Sequence, residues 1–312
     1  MNRTKIRLIY IIGKPRSGST LLDRLLGEHP DLFSAGEVKP IWEASFIKNQ
    51  LCGCGKPFKE CEVWQQIVGN FLNENRDFDA QEMINLHRTI DRLRYIPKLI
   101  VIKKLGLLNR NIQQMNNIFY SLYKAIHSVI TPKYIIDSTK EVPFAFILNM
   151  NPNLDVYLLH IVRDSRAVAY SWQRRKIRPE IINRVEYMQT YSPFRTSMCW
   201  LLVNILSGCI GRGMDNYKRI RYEDLIKRPK SVLSDIFSFL TIDNKVDKIM
   251  IEDDTAYLGT NHTVAGNPVR FRTGKMKLKL DEEWKTKMKN SDKFLVSLLT
   301  FPVLKYFNYS VR

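Results

Sequence analysis

The chain has 312 residues, 45% of them hydrophobic, enough to bury a substantial core as one large domain or two small ones. Its formal charge of +18 attracts anionic partners, although the sign alone does not separate nucleotide, nucleic acid, acidic glycan and membrane surface. The five cysteines, Cys52, Cys54, Cys61, Cys199 and Cys209, are too few and too unevenly placed for a disulfide framework, so a mostly reduced chain is expected.

The first apolar run, "RLIYII" at 7–12, is shorter than the core of a signal peptide and passes at once into a Gly-Lys-Pro-Arg turn. It reads as a strand, and a soluble, cytoplasmic protein with no integral membrane segment is expected. "GKPRSGST" follows at 13–20. Gly13, Gly18 and Thr20 fall into the register of the triphosphate loop G-x-x-x-x-G-K-[ST], but Ser19 stands where its lysine belongs. Lys14 and Arg16 are the only basic side chains of this loop. Helical text over 18–29 then sets Leu21, Leu22, Leu25 and Leu26 on one apolar stripe. Strand, glycine-bearing turn and helix together aim backbone N–H groups at an anion. Ser17, Ser19 and Thr20 add hydroxyl donors.

"HPDLFSAGEV" leads to Glu37, and "CGCGKPFKECEVW" brings Cys52, Cys54 and Cys61 within ten residues. Three thiolates are most of a zinc site, but C-x-C-x6-C lacks a fourth ligand nearby; no metal is expected, and a local disulfide or free thiols fit as well. From about 65 to 130 the text is helical without strand signals and reads as an insertion or cap. Strands resume at "YIID" (134–137), "DVYLLHIV" (155–162) and "KRIRYED" (218–224). Near-continuous apolar runs alternating with helical text predict an α/β fold with a central, mostly parallel sheet. In such a fold ligands bind beyond the carboxyl ends of the strands, which here carry "DSTKE" with Ser138 and Lys140, and "RDSRAVAYS" after Arg163. "MCWLLVNILSGCIG" (198–211) has the length of a buried helix and falls short of the ~20 residues that span a bilayer. The lysine-dense run 273–289 fits a solvated basic face or a contact for an anionic ligand.

"PRSGSTLL" resembles the 5′-phosphosulfate loop of the sulfotransferases, which use 3′-phosphoadenosine 5′-phosphosulfate (PAPS) as donor and release 3′,5′-adenosine bisphosphate (PAP). "LLHIVRDSRAVAYS" resembles the same family's 3′-phosphate motif, an arginine at a strand end followed eight residues later by a serine; Arg163 and Ser171 have that spacing. In "RIRYEDLIKRPKSVLSDIFSFL" the matching tyrosine beside the adenine is Tyr222. "HTVAGNPVRFRTG" (262–274) resembles the C-terminal segment that folds over the donor, with Arg272 and Gly274 fitting best and Arg270 behind them. The tail "KMKLKLDEEW" departs from the cytosolic branch, which continues with Gly-Asp-Trp.

The resemblance, closest to bacterial and carbohydrate sulfotransferases, implies a P-loop-type three-layer fold, one domain over 1–312. It implies PAPS bound by Arg16, Ser17, Gly18, Ser19, Thr20, Arg163, Ser171, Tyr222, Arg270, Arg272 and Gly274. The heparan type places a glutamate soon after the first helix as general base, a position that Glu37 matches, with His262 in reserve. Arg16 and Lys14 would support charge developing on the donor, and Ser138 and Lys140 would lie near the acceptor. Residues 65–130 and 173–194 would shape the acceptor site. The acceptor expected is a hydroxyl or amine on a glycan, lipid, protein tyrosine or small metabolite, with no nucleic acid as partner. A nucleotide kinase would instead want lysine at position 19 and an acid to hold magnesium. A non-enzymatic basic binding protein on a nucleotide fold would leave the Arg163/Ser171 spacing unexplained.

Overall fold

The computed structural model describes residues 5–90, 92–106, 109–175, 177–181 and 185–310. Residues 91, 107 and 108 of the expected insertion, and 176 and 182–184 of the expected acceptor segment, lie outside them. Strands β1 (Ile6–Ile12), β2 (Leu32–Gly36), β3 (Tyr134–Lys140), β4 (Leu154–Val162) and β5 (Tyr217–Arg221) form one sheet in the order β2-β3-β1-β4-β5, with every neighbouring pair parallel. Leu8, Tyr10 and Ile12 of β1 join one apolar cluster, and Ile9 and Ile11 join the other. Side chains alternate across a strand, so a central strand covered on both faces reads as an unbroken apolar run.

On one face, Leu22, Leu25 and Leu26 of α1 (Ser19–Leu26) share the cluster of Ile9 and Ile11. On the other lie α2 (Glu62–Glu74), α3 (Ala80–Ile90), α4 (Ile96–Leu105) and α5 (Arg110–Ile130), the helical insertion expected from the sequence. The fully buried Trp42 indole packs 5.7 Å from the Phe71 ring of α2 and 5.5 Å from the Phe119 ring of α5, measured between centroids. These helices therefore close the apolar face of the sheet. The chain continues through α6 (Val142–Leu148), α7 (Ser165–Gln173), α8 (Pro193–Gly211), α9 (Tyr222–Lys227) and α10 (Pro229–Phe239).

"LFSAG" forms the edge strand β2, whose pairing with β3 is a non-local contact that five residues of sequence do not announce. Three local expectations are revised. The strand expected over 218–224 ends at Arg221, where Tyr222 begins α9; Glu223 and Asp224 fall in that helix's first turn, a position favourable for acids. Part of the lysine-dense run is strand: β6 (Thr255–Leu258) and β7 (Gly274–Lys277) form an antiparallel hairpin. Helix α8 is two-faced rather than buried. It is long and apolar enough to cross a membrane by length and composition, yet 39% of that stretch is buried here. Trp200, Asn204 and Ser207 point inward, whereas Phe194, Met198, Leu202 and Ile205 are exposed.

Beneath the first loop, the buried Asp23 of α1 accepts hydrogen bonds from Ser34 Oγ of β2 and from Ser138 Oγ of β3 (2.6 Å). Ser138 is thereby engaged in joining α1 to the sheet. Burial pushes the Asp23 carboxyl up to about 6, against the pull of both hydroxyls. The folded chain thus keeps this proton to higher pH than the unfolded chain does, so Asp23 contributes stability below about pH 4 that is lost by about pH 6. Asp23→Asn has no proton to lose, and its stability relative to the wild type is expected to rise by roughly 3 kcal/mol over that interval and stay level above it. Denaturant unfolding across the interval checks this; a pH-independent difference would show that Asp23 does not titrate there.

Candidate active site

The sharp turn after β1 rests on two glycines, and at Gly13 a Cβ would lie 2.3 Å from the Ile161 carbonyl oxygen. Gly18 caps α1 at φ +92°, and a Cβ placed there would lie 2.3 Å from Tyr222 Cδ2, so the tyrosine ring lies against the loop only because position 18 has no side chain. Tyr222 in turn carries the Arg163 guanidinium 4.5 Å above its ring centre. Arg163 donates to the Arg16 carbonyl (3.2 Å) and the Asp281 carbonyl (3.2 Å), and pairs with the Asp281 carboxylate at 3.3 Å.

Two cavities meet at this loop. The first, of about 240 Å³, is lined by Arg16, Gly18, Ser19 and Thr20 of the loop, and by Arg163, Ser171, Tyr222 and Arg272. The second, of about 450 Å³, shares Arg16, Ser19, Thr20 and Asn267 with the first and adds Glu37, Lys140, Trp172 and Glu180. Glu37 and Lys140 face each other there as an ion pair, with Lys140 only 6% exposed and also donating to the Ser138 carbonyl (3.0 Å). Below them the buried Asp137 accepts from the backbone N–H groups of Val38 (3.3 Å) and Thr139 (2.9 Å), which fixes the residues following Glu37 against those preceding Lys140.

Arg16, Lys140 and Ala265 all line the second cavity, and all three have left-handed backbones, at φ 78°, 74° and 50°. Such conformations cost non-glycine residues ~1–3 kcal/mol each and concentrate at sites that need them. Arg16 is the centre of the arrangement. Burial pulls its pKa down, partly offset by Glu37, and its Nη1 is buried without a hydrogen-bond partner among the described residues. Its other terminal nitrogen meets Met188 Sδ at 2.8 Å. A buried guanidinium donor with no partner fits a site that receives an anion.

Several expected site residues are not brought to either cavity. Lys14 lies 5.3 Å from the Trp172 ring centre, and the Trp172 indole N–H binds the Pro15 carbonyl (3.2 Å). Ser17 is buried, its N–H bonding the Lys14 carbonyl (3.2 Å) and its hydroxyl without a partner among the described residues. Arg270 is buried and donates to the carbonyls of Thr263 (2.7 Å) and Leu51 (2.6 Å), so it braces the backbone and presents no fork to a phosphate. Gly274 opens β7 opposite Leu258. Among the described lining residues there is no histidine: His262 stands beside Cys61, while His160 is bonded to Tyr217 and Asn204 (2.9 Å each) and pushed down to about 4 by burial.

Other residues of the two cavity linings are not singled out by the sequence. Lys277, Lys279 and Asp281 line the first cavity from the lysine-dense run, whose charge was the available signal. Glu180 lines the second, nearly buried, with one oxygen held by Arg178 (2.8 Å) and the other without a partner among the described residues. Arg24 ties α1 to the C-terminal segment through Gly259 O (2.7 Å) and Arg272 O (3.4 Å). The described lining of the second cavity takes residues from 172–189 but none from 65–130, because the insertion packs on the sheet face.

The fold of this chain is shared with sulfotransferase domains of known structure. Residues 9–51 match the model of the "Sulfotransferase family". Among solved structures, the sulfotransferase domain of the olefin synthase of Synechococcus PCC 7002 aligns with a TM-score of 0.57 and 19% identity, over 99% of this chain and 97% of that one. The sulfotransferase domain of the curacin biosynthetic pathway aligns with a TM-score of 0.54 and 19% identity, over 98% and 99%. No protein of curated function matches the sequence.

Proposed function

We propose that the protein transfers a sulfuryl group from PAPS to a hydroxyl or amine of an acceptor. The observation that carries this is the meeting of two cavities at Arg16, Ser19 and Thr20, one with the phosphate-type anchors Arg163, Ser171 and Arg272, the other with Glu37 and Lys140. A donor spanning the first cavity would lay its 3′-phosphate against Arg163 and Ser171, its adenine against Tyr222 and its 5′-phosphosulfate on the loop. The acceptor oxygen or nitrogen, entering from the second cavity, attacks sulfur as the bond from sulfur to the bridging phosphate oxygen breaks. Glu37 takes the acceptor's proton, and Arg16 with the N–H groups at the start of α1 meets the charge left on the 5′-phosphate. Glu180 and Glu186 add further carboxylates to the acceptor side, which suits a partner rich in hydroxyls or carrying an amine. The unpaired thiols suit a reducing compartment, and the cytoplasm is the location proposed.

Thermal unfolding with PAP, ATP and ATP plus magnesium tests the donor. PAP at a hundredfold its Kd is expected to stabilise the protein by about 2.7 kcal/mol, with less effect from ATP. Stabilisation by magnesium-ATP alone would turn the assignment to phosphoryl transfer.

A further inference from the structure

The thiols of Cys52, Cys54 and Cys61 are one donor short of a zinc site in sequence. The fold supplies the fourth from two hundred residues away. His262 comes to the cluster from the C-terminal segment, its Nδ1 3.2 Å from Cys61 Sγ and 3.9 Å from Cys52 Sγ. All four donor atoms lie within 4.8 Å of one another. We infer that Cys52, Cys54, Cys61 and His262 bind one Zn²⁺ in a closed, tetrahedral, structural site.

The distances suit that ion. Zinc–sulfur bonds of about 2.3 Å and zinc–nitrogen bonds of about 2.0–2.1 Å at tetrahedral angles place sulfur and nitrogen about 3.6 Å apart and two sulfurs about 3.8 Å apart. The two sulfur–nitrogen separations here fall on either side of that value, so shifts of a few tenths of an ångström would regularise them. Three thiolates and an imidazole are donors that select zinc over the hard cations, and four protein ligands leave no open position for substrate. A disulfide would use two of the three thiols and leave the third and the histidine unaccounted for.

The surrounding backbone is built to hold these donors. Cys52 and Cys54 sit on a tight turn, with Gly55 N–H bonding Cys52 O (2.9 Å) and Cys52 N–H bonding Lys56 O (2.8 Å). Gly55 takes φ +86°, and a Cβ at Gly53 would lie 2.0 Å from Asn261 Oδ1, so the turn needs both glycines. Cys61 stands at the start of α2, and Trp64 one turn on fixes the histidine's backbone through Nε1 to His262 O (2.7 Å). Gly53 N–H binds Thr263 O (2.9 Å), and the buried Arg270 joins Leu51 to Thr263. That explains why this arginine faces away from the donor cavity. The ion would rivet residues 52–61 to the segment that carries Asn267 and Arg272 into the first cavity. This consequence for donor binding rests on the proposed function; the metal site itself does not.

The test is metal content, read without any donor present. Full-length protein purified in reducing buffer is expected to carry one zinc per chain by plasma mass spectrometry. Replacement by Co²⁺ should give the visible d–d bands and thiolate charge-transfer absorption of a tetrahedral thiolate site. Cys54→Ser and His262→Ala should each reduce bound zinc to background or weaken cobalt binding by tenfold or more. Metal-free protein that shows no tetrahedral cobalt spectrum with excess Co²⁺, or unchanged zinc in both variants, would overturn the site. Zinc-loaded protein indifferent to PAP would keep the site and remove the donor assignment instead.

Discussion

Glu37→Gln is expected to lower turnover by about 10²–10⁴-fold, the usual contribution of a general base, while leaving the affinity for PAP within about twofold. Glutamine keeps the shape of the side chain and an oxygen to accept from Lys140, so the nearly buried ammonium retains a partner. What is lost is the ability to take a proton. PAP affinity is spared because Glu37 lines the second cavity, whereas Arg163, Ser171 and Arg272 line the first. Single-turnover kinetics with labelled PAPS and a panel of acceptors, paired with calorimetric titration of PAP, separates the two effects. Retained turnover would remove Glu37 from the role, and a parallel loss of PAP binding would show that it supports the loop instead.

Arg163→Met is expected to weaken PAP binding by about thirty- to a hundredfold, corresponding to the ~2–3 kcal/mol that charge-assisted hydrogen bonds to a phosphate contribute. In the structure the guanidinium spends its donors on the Arg16 carbonyl and on Asp281, whose carboxylate occupies the position of an anionic partner. A 3′-phosphate would displace that carboxylate and take up both forks. Lysine at this position offers a point charge without the planar fork, so Arg163→Lys should recover only part of the affinity. Calorimetric titration reads the loss, and the unfolding temperature without ligand shows whether the loop survives the change. Unaltered PAP affinity would remove Arg163 from the phosphate site.

The residues that could be read beforehand are those whose role is local. "RLIYIIGKPRSGST" announces a buried strand, a turn and a helix start, and β1, the loop and α1 follow in that order. Arg163 and Ser171 are eight positions apart at a strand–helix junction, and both line one cavity as that spacing implies. Arg270 and Arg272 show the opposite case. Two positions apart in one segment, they carry the same charge, yet Arg272 lines the first cavity and Arg270 is buried on backbone carbonyls. Nothing in their spelling separates them, because the Arg270 side chain is turned inward by the carbonyls of Thr263 and of the distant Leu51, while Arg24 holds only the backbone carbonyl of Arg272. Ser138 and Lys140 divide in the same way, the serine turning to Asp23 and the lysine to Glu37.

By itself the sequence determined the parallel sheet, the glycine-bearing loop after its first strand, and Arg16, Arg163 and Lys140 as charged groups beyond strand ends. These follow from periodicity, glycine placement and short spacings, which act within a few residues. Only the tertiary structure decided that Glu37 meets Lys140, that Arg16 lies between two cavities, and that His262 completes the set of three cysteines. Each of these joins residues about a hundred or more positions apart. Their meeting depends on how strands order within the sheet and how the C-terminal segment packs across it.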